Sequence, residues 1–253
     1  MTLNPLQSSV LPPSSGEGDV LRVATYNIHK GVGLDRRRDP DRILHVLREI
    51  DADAIALQEA DRRFGDRQSV LPRASIDDHT PWRAVEINQR PDSIGWHGNA
   101  LLVRRGIEVL ASGIVPLPTL EPRGAVWADL GTAAGRVRMV GMHLDLSGLR
   151  RRHQVRAVLA EIASCGPPCP AVLMGDFNEW SRHGGALREF PHAEWQVLAP
   201  GRSFPSRRPV ALLDRIVVSA GCAVARCGVH HSALAAVASD HLPVFARIEL
   251  PKF

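Results

Sequence analysis

The segment GDFNEW places a carboxylate, Asp176, and an amide, Asn178, two residues apart behind Gly175, where a strand-like run can turn. In an extended chain residues i and i+2 point the same way, so Asp176 can orient a water while Asn178 holds an anionic oxygen. The same spacing also makes an ordinary Asx turn. In SDHLPV, Asp240 stands beside His241, a pairing in which the carboxylate can bind a hard cation and the imidazole can move a proton or contact a phosphate. Asp214 interrupts the apolar run LLDRIVVS, and a carboxylate buried there needs a partner to offset its desolvation. Pairing with His241 would fix the imidazole's tautomer and raise its proton affinity; a surface turn at Asp214-Arg215 is the alternative. MHLDL sets His143 and Asp145 two apart at a strand end, and Arg123 in EPRGAV precedes another strand beside Gly124, where a guanidinium can clamp a phosphate through two hydrogen bonds.

These residues are far apart in the chain, so strands and helices must bring them together. Leu21 to Tyr26 reads as a strand ending at Asn27, and Ala54 to Leu57 as a buried strand ending at Gln58-Glu59. Polar residues at strand ends project into the crevice where α/β proteins place their sites. Between these strands Asp39-Pro40 supplies an N-cap and a first-turn proline, followed by Ile43, Leu44, Leu47 and Ile50 at helical spacing. Further strands are expected at Trp82 to Ile87, Ala100 to Val103, Ile107 to Val115, Ala125 to Leu130 and Val137 to Met142, with a helix over Leu149 to Ala163. The last strands are expected at Ala171 to Met174, Leu212 to Val218 and Val244 to Leu250. So many strands with few helices point to antiparallel hairpins more than to a purely parallel sheet. No internal repeat is visible beyond the recurring strand-to-polar-turn pattern.

At 253 residues and 44% hydrophobic, the chain can fill a large core. No linker divides it, so residues 21–253 are read as one domain behind a flexible tail over residues 1–20. The tail lacks the basic and apolar regions of a secretory signal, and no run approaches the ~20 apolar residues that cross a bilayer. A soluble or at most peripherally membrane-bound protein of the cytoplasm is therefore expected. The four cysteines form no C-x-x-C pair, which fits spare thiols in a reducing compartment. The net charge of +4 suits a phosphate-bearing partner without diagnosing nucleic acid.

Taken in order, TYNIHKG, LQEAD, HGNALLV, MHLDL, GDFNEW, FPSRRP…LLDRIVVS and SDHLPV resemble the endonuclease/exonuclease/phosphatase superfamily, the DNase I-like group, over about residues 21 to 250. The resemblance implies a four-layer α/β sandwich of two mixed, mostly antiparallel β-sheets packed face to face with helices outside. It implies that Glu59 is the principal metal ligand with Asn27 beside it and Asp240 joining them, and that the ion is Mg²⁺ or Mn²⁺, as hard oxygen donors favour. Asp176 would position or deprotonate the attacking water, and Asn27 and Asn178 would hold the phosphate. Asp214 would orient His241, and His143 would match the second catalytic histidine; Asn99 in HGNALLV is a candidate neighbour of the site.

The implied activity is hydrolysis of a phosphodiester, in nucleic acid or a phospholipid headgroup. Phosphomonoester hydrolysis on a soluble sugar or inositol phosphate, or a catalytically inactive binding module, are the alternatives. The Tyr-x-x-Asn element of apurinic-site endonucleases and the Trp-Cys-Asp-Arg signature of inositol 5-phosphatases are not evident. Arginines at 36–38, 62, 63, 67, 150–152, 207 and 208 could steer any such anion. A lipid substrate would call for an exposed apolar rim, with Trp96, Trp180 and Trp195 as candidates.

Overall fold

A computed structural model of the chain describes residues 20–62, 68–87, 92–118 and 123–251; apart from Val20, the expected tail lies outside them. The strands are β1 (Val20–Asn27), β2 (Ala54–Gln58), β3 (Trp82–Ala84), β4 (Ala100–Arg104), β5 (Glu108–Val115) and β6 (Gly124–Thr132), then β7 (Gly135–His143), β8 (Ala171–Asp176), β9 (Trp195–Val197), β10 (Asp214–Ser219), β11 (Ala223–Val229) and β12 (Val244–Glu249). The helices are α1 (Pro40–Ile50), α2 (Arg73–His79), α3 (Gly148–Ser164) and α4 (Ala235–Ala238). One six-stranded sheet has the order β11-β12-β1-β2-β4-β3, the other β5-β6-β7-β8-β10-β9. The parallel pairs are β1 with β2, joined through α1, and β7 with β8, joined through α3. The remaining neighbours are antiparallel. The two sheets match in strand order and direction, the second running continuously from β5 to β10 and the first assembled from both ends of the described chain.

Three apolar cores separate four layers. Val23, Ala54, Ala56, Met139, Val172, Met174, Ile216 and Ala246 fill the space between the sheets. Their strand neighbours face outward: Ala24, Ile55 and Leu57 pack with Ile43, Leu47 and Ile50 of α1, and Val140, Leu173 and Val217 pack with Val155 and Val158 of α3. Both faces of the central strands are thus apolar, which is why they read as continuous hydrophobic runs. Helix α1 starts as its sequence dictates: the Asp39 side chain accepts the Arg42 N–H at 3.0 Å and Pro40 opens the first turn.

Four elements lack a sequence signal. β9 and β11 are edge strands with half-exposed patterns, α4 is a single turn, and α2 buries Ile76 alone, too little to show a helical period. β3 is shorter than the expected strand, and β10 begins at Asp214, leaving Leu212 and Leu213 outside it.

Candidate active site

The alternation that fills the inter-sheet core also builds the polar cluster at its rim. Val23 faces that core, so Thr25 and Asn27 face it too; Val137 and Met139 likewise bring in His143, Val172 and Met174 bring in Asp176, and Val218 and Ile216 bring in Asp214. At one end of the sandwich the inward position becomes polar on strand after strand. Register then aligns His143 and Asp214 on either side of Asp176 within one sheet, and Asn27 beside Gln58 in the other. Gly175 permits the first alignment: at φ +156 its missing Cβ would lie 1.8 Å from the Met142 carbonyl oxygen. Between the sheets, Asn27 Nδ2 donates to Asp176 Oδ2 at 3.1 Å.

Asp176 is the hub. His143 Nε2 lies 3.2 Å and His241 Nε2 3.8 Å from the same Oδ2, while Oδ1 accepts the Asn178 N–H at 2.9 Å. Burial would raise this carboxyl, but His241, His143 and the Asn178 N–H together hold it below the usual carboxylate range. His241 Nδ1 lies 2.8 Å from Asp214 Oδ2, which also accepts the Ser203 hydroxyl at 2.5 Å. Burial lowers the proton affinity of His241, but Asp214 and then Asp176 overcome it and push the imidazole up to about 10. Asp214 is fully buried, not on a surface turn. One proton is held between Asp214 and His241, on the imidazole side, because the ring faces a second carboxylate.

Glu59 follows β2 in the left-handed region, φ 56, and its carboxylate pairs with Lys30. Burial raises it, but His143 and Lys30 carry it below its ordinary value. The HGN turn packs on it: Gly98, at φ +80, has no Cβ to meet the Glu59 Cα, and its carbonyl accepts the Ala60 N–H at 2.8 Å. Asp240 is half-buried, its carboxylate 3.9 Å from His29 Nδ1. The Ser239 hydroxyl donates to the Asn27 carbonyl at 2.7 Å, fastening the Asp240-His241 turn to β1. The Arg123 guanidinium lies against the His143 ring, one nitrogen 2.8 Å from Nδ1.

Two sequence expectations change in detail. Residues 176–178 are not extended: Asn178 has φ 49 and its N–H returns to Asp176 Oδ1, an Asx turn. Its side-chain amide donates to the Leu144 carbonyl at 2.9 Å, tying the ends of β7 and β8. Asn99 is buried beside the HGN turn, its amide 3.4 Å from the Trp96 carbonyl and its Oδ1 without a hydrogen-bond partner among the described residues. Asp145 turns away to accept the Ser147 N–H ahead of α3. The sequence reading missed Lys30, Ser203 and Phe204, whose ring packs 4.8 Å from that of His241. The only signals were a lysine in a chain almost without them and a serine just ahead of FPSRRP. Of the suggested tryptophans, Trp180 is exposed, Trp96 is half-buried, and Trp195 pairs with Ser219 at the far end of β10 from Asp214. Arg63 and Arg67 lie outside the described residues.

Residues 24–241 match the model of the Endonuclease/Exonuclease/phosphatase family. The chain belongs to that family. The Escherichia coli K12 protein YbhP is 28% identical over 250 residues, spanning 90% of this chain and 96% of its own. An endonuclease/exonuclease/phosphatase from Bacteroides vulgatus superposes with a TM-score of 0.71 at 20% identity, covering 91% of this chain and 99% of its own. Danio rerio TDP2 complexed with a single-strand DNA product gives 0.69 at 16%, covering 91% and 99%. The human Nocturnin catalytic domain with bound sulfate gives 0.68 at 16%, covering 92% and 94%. At those identities the structures share the fold. Members of the family generally hydrolyse phosphoester bonds and typically use divalent metals.

Among the described residues no group of three or more His, Cys, Asp or Glu side chains is arranged to hold a metal by itself. Glu59 already holds a cation, the Lys30 ammonium, and the amide of Asn27 and the carboxylate of Asp240 are further hard donors at this rim. One or two carboxylates completed by water and substrate phosphate is how Mg²⁺ is commonly held. The residues fit that ion.

Proposed function

We propose that this chain hydrolyses phosphodiester bonds by in-line attack of water at the Asp176 cluster, with Mg²⁺ or Mn²⁺ held by Glu59, Asn27 and Asp240. The observation that carries this reading is the surroundings of Asp176: an ionised, buried carboxylate faced by two imidazoles and by an amide from the opposite sheet. A protein gains little stability from so many desolvated polar groups at one rim, whereas the arrangement suits an anionic substrate and a water.

Asp176 orients the water and accepts its proton as the new P–O bond forms. A carboxylate held so low is a weak base, so orientation precedes proton uptake. His241, fixed by Asp214 through Nδ1, presents a protonated Nε2 to the nonbridging oxygens, where negative charge builds. The Arg123 guanidinium, held against the His143 ring, adds positive charge to that lining, His143 contributes a polar contact beside Asp176, and Asn27 and Asn178 hold the remaining phosphate oxygens. When bound, the divalent ion supplies Lewis-acid charge to the phosphoryl group. The ester P–O bond breaks, the departing oxygen takes up a proton from solvent water, and Asp176 returns to solvent the proton it accepted, so that one water is consumed per bond cleaved.

The test is hydrolysis of bis-(p-nitrophenyl) phosphate, DNA, RNA, phospholipids and inositol phosphates with Mg²⁺ or EDTA. His241→Ala is expected to lower diester turnover by about 10²–10³-fold, as for loss of one donor that stabilises the developing charge, and Glu59→Gln to abolish the Mg²⁺-stimulated rate. Full activity in both variants, or no cleavage of any substrate by folded wild type with metal, would overturn the reading.

A further inference from the structure

Isolated exposed apolar side chains are normal on a protein surface, but here their placement is selective. Among the described residues seven large hydrophobic side chains are exposed, and of these Leu110 lies on the edge strand β5. The other six lie on segments that carry or adjoin the site residues. Leu34 follows Lys30 closely, and its N–H donates to the Val237 carbonyl at 3.0 Å, so the loop after β1 and the turn before Asp240 form one apolar edge. On the other sheet's side, Leu146 and Leu149 follow His143, and Trp180, 64% exposed, follows Asn178. Arg151 joins these two loops, its Nη1 donating to the Leu146 carbonyl at 2.7 Å and its Nη2 lying 3.2 Å from Glu179. Val210 completes the rim: its N–H donates to the carbonyl of Phe204, the residue packed on His241.

The same segments carry exposed cations. Arg36, Arg182, Arg207 and Arg208 are exposed and hold no ion pair among the described residues. Aliphatic side chains interleaved with free guanidiniums complement a surface with an apolar interior and an anionic head layer. Single-stranded nucleic acid would use the same arginines, but it gains affinity by stacking bases on aromatic rings. Trp180 is the one ring among these six side chains.

We infer that this rim docks the protein onto an anionic phospholipid bilayer, with the Asp176 cluster facing the headgroups. That its substrate is the phosphoester of a membrane lipid rests additionally on the phosphodiesterase reading; the docking does not. No helix among the described residues is long and apolar enough to cross a membrane; the proposed contact is peripheral, made by loops together with the first turn of α3 and the short helix α4.

The experiment is co-sedimentation of the full chain, in EDTA, with vesicles of phosphatidylcholine alone or mixed with phosphatidylglycerol, at low and high salt. The wild type is expected on the mixed vesicles, released by salt, with a blue shift of tryptophan fluorescence. The Leu149→Ser/Trp180→Ser and Arg207→Gln/Arg208→Gln double variants are each expected to lose about tenfold or more in partitioning, while Mg²⁺-dependent hydrolysis of soluble bis-(p-nitrophenyl) phosphate by the Leu149→Ser/Trp180→Ser variant stays at the wild-type rate. Absence of vesicle binding, or equal binding by wild type and both variants, overturns the docking. So does binding to single-stranded DNA or RNA in place of vesicles that the same variants abolish. Vesicle binding without soluble diester hydrolysis keeps the docking and removes the phosphodiesterase reading instead.

Discussion

His241 is buried, and burial alone would strip its proton near neutral pH. Two carboxylates reverse that balance: Asp214 at 2.8 Å on one ring nitrogen and Asp176 at 3.8 Å from the other. A pH dependence follows with a definite sign. The folded-state value is raised to about 10 from an ordinary value of about 6.5, so the stabilisation is fully present below ~6.5 and lost as pH rises toward ~10. In EDTA, the stability gap between wild type and Asp214→Asn, measured by urea unfolding, should therefore shrink steadily from pH 6.5 to 10. A gap that stays flat or widens over that range would show that His241 is not charged by this pair.

At the level of elements, β7 and β8 must run close enough for His143 and Asp176 to meet, and one missing methyl group permits it. A Cβ on Gly175 would sit 1.8 Å from the Met142 carbonyl oxygen, backbone against backbone, where no flexible side chain can yield. Gly175→Ala is expected to cost about 3 kcal/mol by urea unfolding and to depress hydrolysis further, because the strand ends that part are those carrying the site. Gly106→Ala is the control: at φ +95 with nothing within 4 Å, it should cost only about 1 kcal/mol, the penalty of a left-handed backbone. Equal losses in the two variants would mean that close strand approach is not what Gly175 provides.

For the whole molecule, the decisive dimension is the gap between the sheets. Asn27 reaches Asp176 from the opposite sheet, and small residues keep that gap narrow: a Cβ on Gly141 would lie 3.1 Å from Ala56 Cβ and 3.2 Å from Leu101 Cδ2. Gly141→Val should wedge the sheets apart, costing about 2 kcal/mol. It should also lower turnover per folded molecule by about tenfold or more, since a displacement near 1 Å can cost 10²-fold. Wild-type turnover in a measurably destabilised variant would show that the inter-sheet gap does not set the geometry of the cluster.

By itself the sequence determined the strong elements and most of the chemical inventory. Continuous apolar runs announced β1, β2, β7 and β8, Asp39-Pro40 announced α1, and the ordered polar segments at strand ends resembled one family, to which the chain belongs. Short-range physics suffices for these, because periodicity, capping and turn chemistry are written in neighbouring residues. Tertiary structure decided what neighbours cannot encode. Edge strands β9 and β11 acquire their form from the strands they pair with, not from their own pattern. Lys30 meets Glu59, Ser203 meets Asp214 and Asn27 meets Asp176 because the two sheets stack at one spacing and register. Likewise, the proposed rim joins six exposed hydrophobic side chains that are scattered along the sequence and lie on the loops and helix turns next to the site-bearing strand ends. Convergence across long stretches of chain is a property of packing, and packing is settled by all the layers at once.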